Sequence, residues 1–473
     1  MTTGTAPAPS VGVPRSRVPG SKASRGATED KFGGGRGVGV LGMLAVLDQG
    51  LFSGTNFLSA VLIGRYCGPE QLGAYALAFS LVMLAISMVR AGLISPYVVL
   101  QGNVSAETNR SLRAAMLMAM LLFGISLACV ALMAGLWIPM SMSLALAVSL
   151  PAGLLRDFGR RLAIAEFRVR HATIQDAAIL VIQIGALMTM AINGQLDAAS
   201  ALTVSGVVWS VAATVGWFVQ RNHYQFADNA WKSNLMQLWP IGRWVGLTQI
   251  ASTIQAFVMP WIMAVAHSAK LAGIYAACWA LVQIASPAIE GLGNVLSPAL
   301  ARSVAQHSWR NLRYRVFVAT TTFAAMMMIM LVFIMTLGRW ALDRLYGAEY
   351  AGFFGVLVLL TLAATAVNLS IPAAKGLTQL GRPTVNLWAT LTSLSVTVLT
   401  TVILLREVGE IGAACGLVAG GIVGGIARWF VLLRHFRSLA NVAAPASGTA
   451  LASVVGQPIK AVDSAGQSGG DSR

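Results

Sequence analysis

The fold is decided by residues 48–77, which read DQGLFSGTNFLSAVLIGRYCGPEQLGAYAL. The first half of this stretch is apolar and long enough to cross a lipid bilayer. It nevertheless contains Asp48, Gln49, Thr55 and Asn56, which are costly in hydrocarbon unless they face a protein interior or a water-filled cavity. The second half is a tight loop that leads into another apolar run. The stretch therefore predicts two consecutive membrane helices with polar groups on an inner face.

The composition extends this prediction to the whole chain. Of the 473 residues, 56% are hydrophobic and 11% are charged, and the mean hydropathy is +0.71, values that exclude a soluble globular protein. The net charge of +16 would indicate nucleic acid in a soluble domain, but here the basic residues lie between apolar segments. We therefore predict an all-α polytopic membrane protein that has no nucleic-acid partner.

The chemistry-bearing residues do not form an enzyme site. The four cysteines are scattered singly, which indicates neither a disulfide framework nor a metal site. The five histidines are isolated, and the sequence contains no Walker motif, no HExxH and no GxSxG. We predict that the chain is not an enzyme and uses no metal and no cofactor.

Apolar runs of the ~20 residues that a membrane helix needs predict about twelve spans. They lie near Val40–Ile63, Leu72–Ile94, Leu112–Leu136, Trp137–Leu155, Ala172–Ile192, Ala198–Val219, Trp244–Val265, Leu271–Leu296, Val316–Leu337, Phe353–Ala373, Val385–Leu405 and Ile411–Leu433.

The distribution of basic residues predicts the orientation in the membrane. Most arginines and lysines fall in alternate loops and in the tails, whereas the remaining loops hold only Arg65, Lys270, Arg339, Arg344 and Arg406. The positive-inside rule then places both termini in the cytoplasm. The basic stretch 156–171 is predicted to form an amphipathic helix on the cytoplasmic face that contacts anionic lipid, or else to act only as a topology signal.

An internal repeat predicts how the spans are arranged. Residues 72–76 read LGAYA and residues 272–276 read AGIYA, and Ser95-Pro96 corresponds to Ser297-Pro298. A repeat with six spans in each half fits two six-helix bundles around a central cavity. The predicted boundaries are a disordered tail at 1–37, bundles at 38–220 and 244–437, a cytoplasmic linker at 221–243 and a second disordered tail at 438–473.

Several motifs, in order along the chain, carry a family resemblance. They are the segment Asn56–Ala76 and, in the second half, PALAR at 298–302, LYGAEY at 345–350, GLTQLGRP at 376–383 and GEIGAA at 409–414. Together, from about Asp48 to Arg437, they resemble the polysaccharide and O-antigen lipid flippases of the multidrug/oligosaccharidyl-lipid/polysaccharide exporter superfamily. Some members of that family line their cavity with several cations, whereas the spans predicted here offer few.

The resemblance implies a flippase that works by alternating access. Its substrate would be a polyprenyl-diphosphate-linked oligosaccharide, moved to the outer leaflet for exopolysaccharide, capsule or O-antigen synthesis together with a polymerase or export complex. The alternative is a cation-coupled drug antiporter of the same superfamily, and a scramblase-like partner of a glycan-synthesis complex also remains open.

Five residues are candidates for substrate binding or gating. Charges inside apolar spans are functional candidates because they cost ~2.5–3.5 kcal/mol each on insertion. Asp48 and Asn56, two turns apart, are predicted to face the same side of their helix. There they would form a proton or sodium site, or else an interhelical hydrogen bond. Arg90 and Glu290 lie at matching depths in the two repeats and are predicted to pair as a gate in one state, or else to snorkel. Lys375 follows a predicted helix break near Pro372 and could bind a diphosphate.

Glycine also forms a regular pattern in the twelfth span. Gly412, Gly416, Gly420 and Gly424 recur at intervals of four and so lie on one helix face. Such a face predicts close helix packing and no substrate contact.

Overall fold

The computed structural model describes residues 34–100, 106–166, 168–224, 236, 239–306 and 308–443, and those residues are helical throughout apart from short connections. Most of the two predicted tails and most of the predicted linker lie outside these residues. The helices are α1 (Gly34–Val89), α2 (Ser95–Leu100), α3 (Ala106–Ala134), α4 (Met140–Ala165), α5 (Val169–Ile192), α6 (Ala198–Gln220), α7 (Trp239–Ala266), α8 (Ala269–Val282), α9 (Ser286–Ala305), α10 (Trp309–Leu345), α11 (Ala348–Ala351), α12 (Phe354–Leu369), α13 (Ile371–Gln379), α14 (Pro383–Val408) and α15 (Glu410–Ala443).

The helices make a multi-pass membrane protein. Ten helical segments among the described residues are long and apolar enough to cross a membrane. One of them, Val46–Val98, has 53 residues and bends at Gly68, where φ is 82°, so each arm reaches the ~20 residues of a span. Helix α4 has the length of a span, 26 residues, but carries charges in its last third. With these two additions the twelve predicted spans are accounted for.

Three helices are interrupted beside prolines, which cannot continue the backbone hydrogen-bond ladder. A π-helical turn, Arg90–Ile94, precedes Pro96, and a 3₁₀ turn, Gln283–Ala285, precedes Pro287. Helix α12 ends at Leu369, and α13 starts one residue before Pro372. The predicted break near Pro372 is therefore confirmed.

The helices pack as two lobes. In the first lobe α4 packs against α3, α6 and α1, and α5 packs against α1; in the second lobe α15 packs against α14 and α12. Helix α1 also contacts α7, α8 and α9 and so forms much of the surface between the lobes. The exact domain boundaries stay a prediction, although α1 begins at Gly34 and α15 ends at Ala443, a few residues inside the predicted tails.

The predicted glycine face is confirmed as a packing surface. A methyl group on Gly416 or Gly420 would overlap the hydroxyl oxygen of Thr401 or Thr397 on α14. Ser393, one turn before Thr397, donates a hydrogen bond of 2.6 Å to the carbonyl oxygen of Gly420. Glycine is needed here because the backbone of α15 lies in direct contact with side-chain oxygens of α14.

The two ends of the molecule differ in chemistry. Four of the five glycines with positive φ, at positions 68, 194, 347 and 409, lie in connections at one end, which we call the glycine end, and Gly381 lies in a connection at the other. The arginines of the α3 start and the α4 end, with those of the 168–170 and 221–224 segments, lie at the other end, which we call the basic end.

The lobes are sealed together at the glycine end. A methyl group on Gly73 would overlap the carbonyl oxygen of Ala269, and one on Gly273 would overlap that of Pro69. Gly73 and Gly273 are equivalent positions of the sequence repeat, so the same close approach is made twice, once from each lobe. The Tyr350 hydroxyl also donates to the carbonyl oxygen of Gly64, at 3.2 Å.

Candidate functional site

The first lobe contains a buried ionic network near the basic end. Arg160 on α4 bridges Asp48 on α1 and Asp176 on α5, with an Nε to Oδ2 distance of 2.7 Å to Asp176. Arg156, one turn earlier on α4, binds the other oxygen of Asp176 at 2.6 Å. These four side chains are at most 5% exposed. Two arginines therefore neutralise two carboxylates in an interior where an unpaired charge would be very costly.

Aromatic rings complete the surroundings of this network. The guanidinium carbons of Arg156 and Arg160 each lie 5.0 Å from the centre of the Phe52 ring, and that of Arg156 lies 5.9 Å from the Trp209 ring. Cation–π attraction is worth more in such desolvated positions than at a surface. The network thus fixes α1, α4 and α5 relative to one another.

This network is not among the features predicted from the sequence. Helix α4 continues past Leu155 to Ala165, so the predicted helix over 156–171 is present in its first ten residues, but the predicted contact with lipid is wrong for two of its arginines. Arg156 and Arg160 are therefore buried inside the lobe, where they meet carboxylates and not lipid head groups. Arg156 and Arg160 add two cations to the interior of the first lobe, but the described residues that line the cavity between the lobes include no lysine or arginine, in agreement with the expectation of few cavity cations. Two signals were available: the spacing of four between the two arginines, and the carboxylate of Asp176 inside the fifth predicted span.

Arg90 has a different partner from the one predicted. Its Nη2 atom lies 3.0 Å from Oδ1 of Asp157, and Arg161 lies 3.7 Å from the same oxygen. Glu290 is exposed in this structure. The predicted pairing of Arg90 with Glu290 is thus absent from this state, and its formation in another state of the protein stays a prediction.

A central cavity of about 540 Å³ lies between the lobes, bounded by α1 on one side and by α7, α8 and the start of α9 on the other. Its wall is largely apolar, a quarter of its residues are aromatic, and its polar groups are concentrated toward the basic end. Its aromatic members are Phe52, Phe57, Tyr75, Phe79, Phe257 and Trp279, and its polar members are Gln49, Ser53, Asn56, Gln283, Ser286 and Glu290.

Asp48 and Asn56 do not share a face, so that prediction was wrong. Asn56 lines the cavity, whereas Asp48 is 1% exposed and points into the first lobe. Eight residues at ~3.6 per turn leave the two side chains ~80° apart. The neighbour Gln49 lines the cavity instead, and Arg160 Nη2 lies 3.4 Å from its side-chain oxygen.

The second lobe holds two cations near the basic end. Lys375 on α13 donates to the hydroxyl oxygen of Ser297 at 3.0 Å, and its stem lies against Gly293. Arg428 on α15 donates to the hydroxyls of Ser370 and Thr390 at 2.8 and 2.7 Å. Within the part of the chain that the structure describes, neither forms an ion pair with a carboxylate.

Glu290 connects the two sets of charges. It interacts electrostatically with Arg161 of the first lobe and with Lys375 of the second. It is also the acidic residue among the cavity-lining side chains. The cavity wall therefore carries one carboxylate that interacts with a cation of each lobe, and these charges can exchange partners when the lobes move.

Comparison with solved structures identifies the fold. The structure is similar to the inward-facing conformation of a multidrug resistance MATE family transporter of the MOP superfamily, with a TM-score of 0.71 and 16% identity over 84% of this chain and 96% of that one. It is also similar to an outward-facing conformation of such a transporter, with a TM-score of 0.64 and 14% identity over 85% and 95% of the two chains. A MATE transporter in complex with MaL6 gives a TM-score of 0.65 at 14% identity, over 85% and 96%.

No family model and no curated protein matches the sequence. The TM-scores establish the fold, and identities of 14–16% leave the substrate open. The two-lobe arrangement and the cavity between the lobes agree with this fold, and the alignments cover nearly the whole length of each neighbour. The chain thus has the fold of the MATE transporters of the MOP superfamily.

Proposed function

We propose that the protein is a secondary transporter that works by alternating access, and that it moves a polyprenyl-diphosphate-linked oligosaccharide across the bacterial inner membrane. The observation that carries this proposal is the central cavity between the lobes. The repeat-related glycines close it at one end, and its one carboxylate, Glu290, interacts electrostatically with a cation of each lobe, Arg161 and Lys375. Equivalent helices of the two repeats form the cavity wall, so rocking of one lobe against the other would move the opening.

The proposed orientation places the basic end in the cytoplasm. The loop charges support this orientation through the positive-inside rule. The seal at the glycine end then makes the structure an inward-facing state, which agrees with the TM-scores of 0.71 and 0.64 to the inward- and outward-facing neighbours.

The cavity chemistry supports an anionic, sugar-bearing substrate. A diphosphate needs cations or hydrogen-bond donors. Arg161 and Lys375 do not line the cavity in this state, but each interacts electrostatically with Glu290, which does. The side-chain amides of Gln49, Asn56 and Gln283 can bond sugar hydroxyls, while the aromatic wall excludes water from the sugar rings. Surface-polysaccharide assembly would then supply the substrate, and a polymerase or export complex would consume it.

A cation-coupled drug antiporter is the second candidate. Glu290 lies in a cavity whose wall includes Phe257 and Trp279, and a carboxylate among aromatic rings suits an organic cation. The neighbouring structures described as multidrug resistance transporters also favour it. Coupling to protons or to sodium is open for both candidates.

Reconstitution separates the two candidates. Proteoliposomes that contain the purified protein should translocate a fluorescent polyprenyl-diphosphate oligosaccharide and should leave a fluorescent organic cation in place. A strain that lacks the gene, and has no redundant flippase, should lose its surface polysaccharide and accumulate lipid-linked repeat units in the inner leaflet. Export of the organic cation with no movement of the glycolipid would reject the flippase in favour of the antiporter.

A further inference from the structure

A second cavity lies in the first lobe, away from the lobe interface. It has a volume of about 430 Å³ and is bounded by α3, α4 and α6. We call it the α3–α4–α6 groove. Small residues on the facing helices, among them Ala152, Gly159 and Ala213, leave the space open, and a methyl group on Gly159 would touch no other heavy atom within 4 Å.

The groove is apolar and has the length of one lipid leaflet. Leu121, Leu155, Phe158 and Trp217 form its walls, and Leu121 and Trp217 are 36% and 41% exposed on the outside of the lobe. Its side on α6 extends over residues 210–220. Ten residues of helix span ~15 Å, which is half of the ~30 Å hydrocarbon core. A single acyl chain of a phospholipid therefore fits its length and chemistry.

One end of the groove adjoins a cluster of arginines. Gln220 and Tyr224 line this end, and Tyr224 interacts electrostatically with Arg113 and Glu166. Arg113 Nη1 lies 2.6 Å from one oxygen of Glu166, and Arg168 Nη2 lies 2.9 Å from the other.

Positive charge exceeds negative charge around this end. Arg168 Nη2 also lies 2.6 Å from Nε2 of His223, and Arg110 interacts electrostatically with the same histidine. The segments 106–113, 166–171 and 221–224 together contain five arginines and two glutamates. A phosphate placed at the end of the groove would therefore meet an excess of cations at the depth of the lipid head groups.

We propose that the α3–α4–α6 groove binds one anionic phospholipid, with an acyl chain between α4 and α6 and the phosphate at the arginine cluster around Glu166. The shape and the charge of the site support the same occupant: an apolar slot of one leaflet's depth ends at a cationic cluster at the basic end. This site is separate from the central cavity, so the proposal does not depend on which substrate the protein transports.

Native mass spectrometry of the full-length protein tests the proposal. Protein titrated with phosphatidylglycerol or with phosphatidylcholine of the same chains should retain one phosphatidylglycerol molecule per chain in preference to phosphatidylcholine. The double variant Arg110→Gln/Arg221→Gln removes exposed arginines and should weaken phosphatidylglycerol retention about fivefold per arginine. Arg406→Gln, beside an apolar cavity at the glycine end, is the matched control and should leave retention unchanged.

A second pair of variants tests the acyl-chain slot. Gly159→Leu, whose Cβ would meet no other heavy atom within 4 Å, places a side chain in the groove and should reduce retention of the bound lipid more than tenfold. Gly185→Leu makes the same change on α5, also in open space, and should have no effect. Equal retention of the two lipids, or equal behaviour of the two leucine variants, would overturn the proposal. Displacement of phosphatidylglycerol by an equimolar polyprenyl diphosphate would also overturn it and would assign the groove to a substrate chain.

Discussion

The two lobes treat their interior charges in opposite ways. In the first lobe Arg156 and Arg160 are each paired with buried aspartates, at distances of 2.6 and 2.7 Å to Asp176. In the second lobe, among the described residues, Lys375 and Arg428 hydrogen-bond only to hydroxyls, and Glu290 interacts with Lys375 without forming an ion pair. A paired buried charge holds helices together, whereas a cation without a counter-ion is kept for another reason. The comparison shows that the first lobe pairs its buried cations with carboxylates that link helices, whereas the second lobe keeps cations that contact no carboxylate among the described residues.

The largest effect should come from removing the central arginine of the first lobe. Arg160→Ala leaves Asp48 without its partner and Asp176 with one arginine, so we expect a loss of ~3–5 kcal/mol in stability. Thermal unfolding in detergent and the yield of folded protein measure this loss. The double variant Asp48→Asn/Arg160→Gln keeps Asp176 paired with Arg156 and should recover most of it. If Arg160→Ala unfolds like the unmodified protein, the network has no structural role.

Removing a cation of the second lobe should affect transport and leave stability unchanged. Lys375→Gln breaks no ion pair, and the carboxylate that it interacts with, Glu290, is exposed, so its unfolding temperature should match that of the unmodified protein. Loss of a charge-assisted hydrogen bond to the diphosphate costs ~1.5–3 kcal/mol, which is a fall of ~10-fold to 100-fold in glycolipid flux. Lys270→Gln, whose partner is Glu349 at the protein surface, is the control. Unchanged flux in the Lys375 variant would show that this lysine does not contact the substrate.

The seal at the glycine end is a feature in which the two lobes are alike, and equivalent substitutions in the two lobes test that likeness. Gly73→Ala and Gly273→Ala each place a methyl group against a backbone carbonyl of the other lobe, so each should destabilise the sealed state by ~1–3 kcal/mol. A cysteine at position 347 should then be labelled faster from outside in both variants, and to a similar extent. Gly54→Ala, which meets no neighbouring atom, should behave like the unmodified protein. A strong effect of one substitution and none of the other would show that the seal is not symmetric.

The smallest effect concerns Arg90, because its side chain is 28% exposed. Arg90→Gln should cost ~1 kcal/mol or less in stability through the lost contact with Asp157. If Arg90 moves to Glu290 in the other state, Glu290→Gln should reduce flux without changing stability, and the exchange Arg90→Glu/Glu290→Arg should restore part of it. Equal flux in Glu290→Gln and the unmodified protein would end the gate hypothesis.

The sequence predicted the helices better than it predicted the charges. Long apolar runs and prolines have a direct physical meaning, so the twelve spans, the break near Pro372 and the packing of Gly416 and Gly420 could be predicted. The end of the fourth span could not, because hydropathy falls wherever arginines occur, including where they are neutralised in the interior. Which aspartate meets Arg160 depends on the packing of α1 and α5 against α4, and one sequence does not contain that information.

The close packing of α14 against α15 has a consequence for how the chain enters the membrane. Ser393, Thr397 and Thr401 are at most 2% exposed because the glycines of α15 cover them. If α14 entered lipid alone, these three hydroxyls would face hydrocarbon, and glycine-rich α15 alone would expose backbone there. The turn at Gly409 lets the two helices fold back on each other at once. We therefore expect α14 to stay at the insertion machinery until α15 has been synthesised. The last two spans would then enter the bilayer together as a preassembled hairpin.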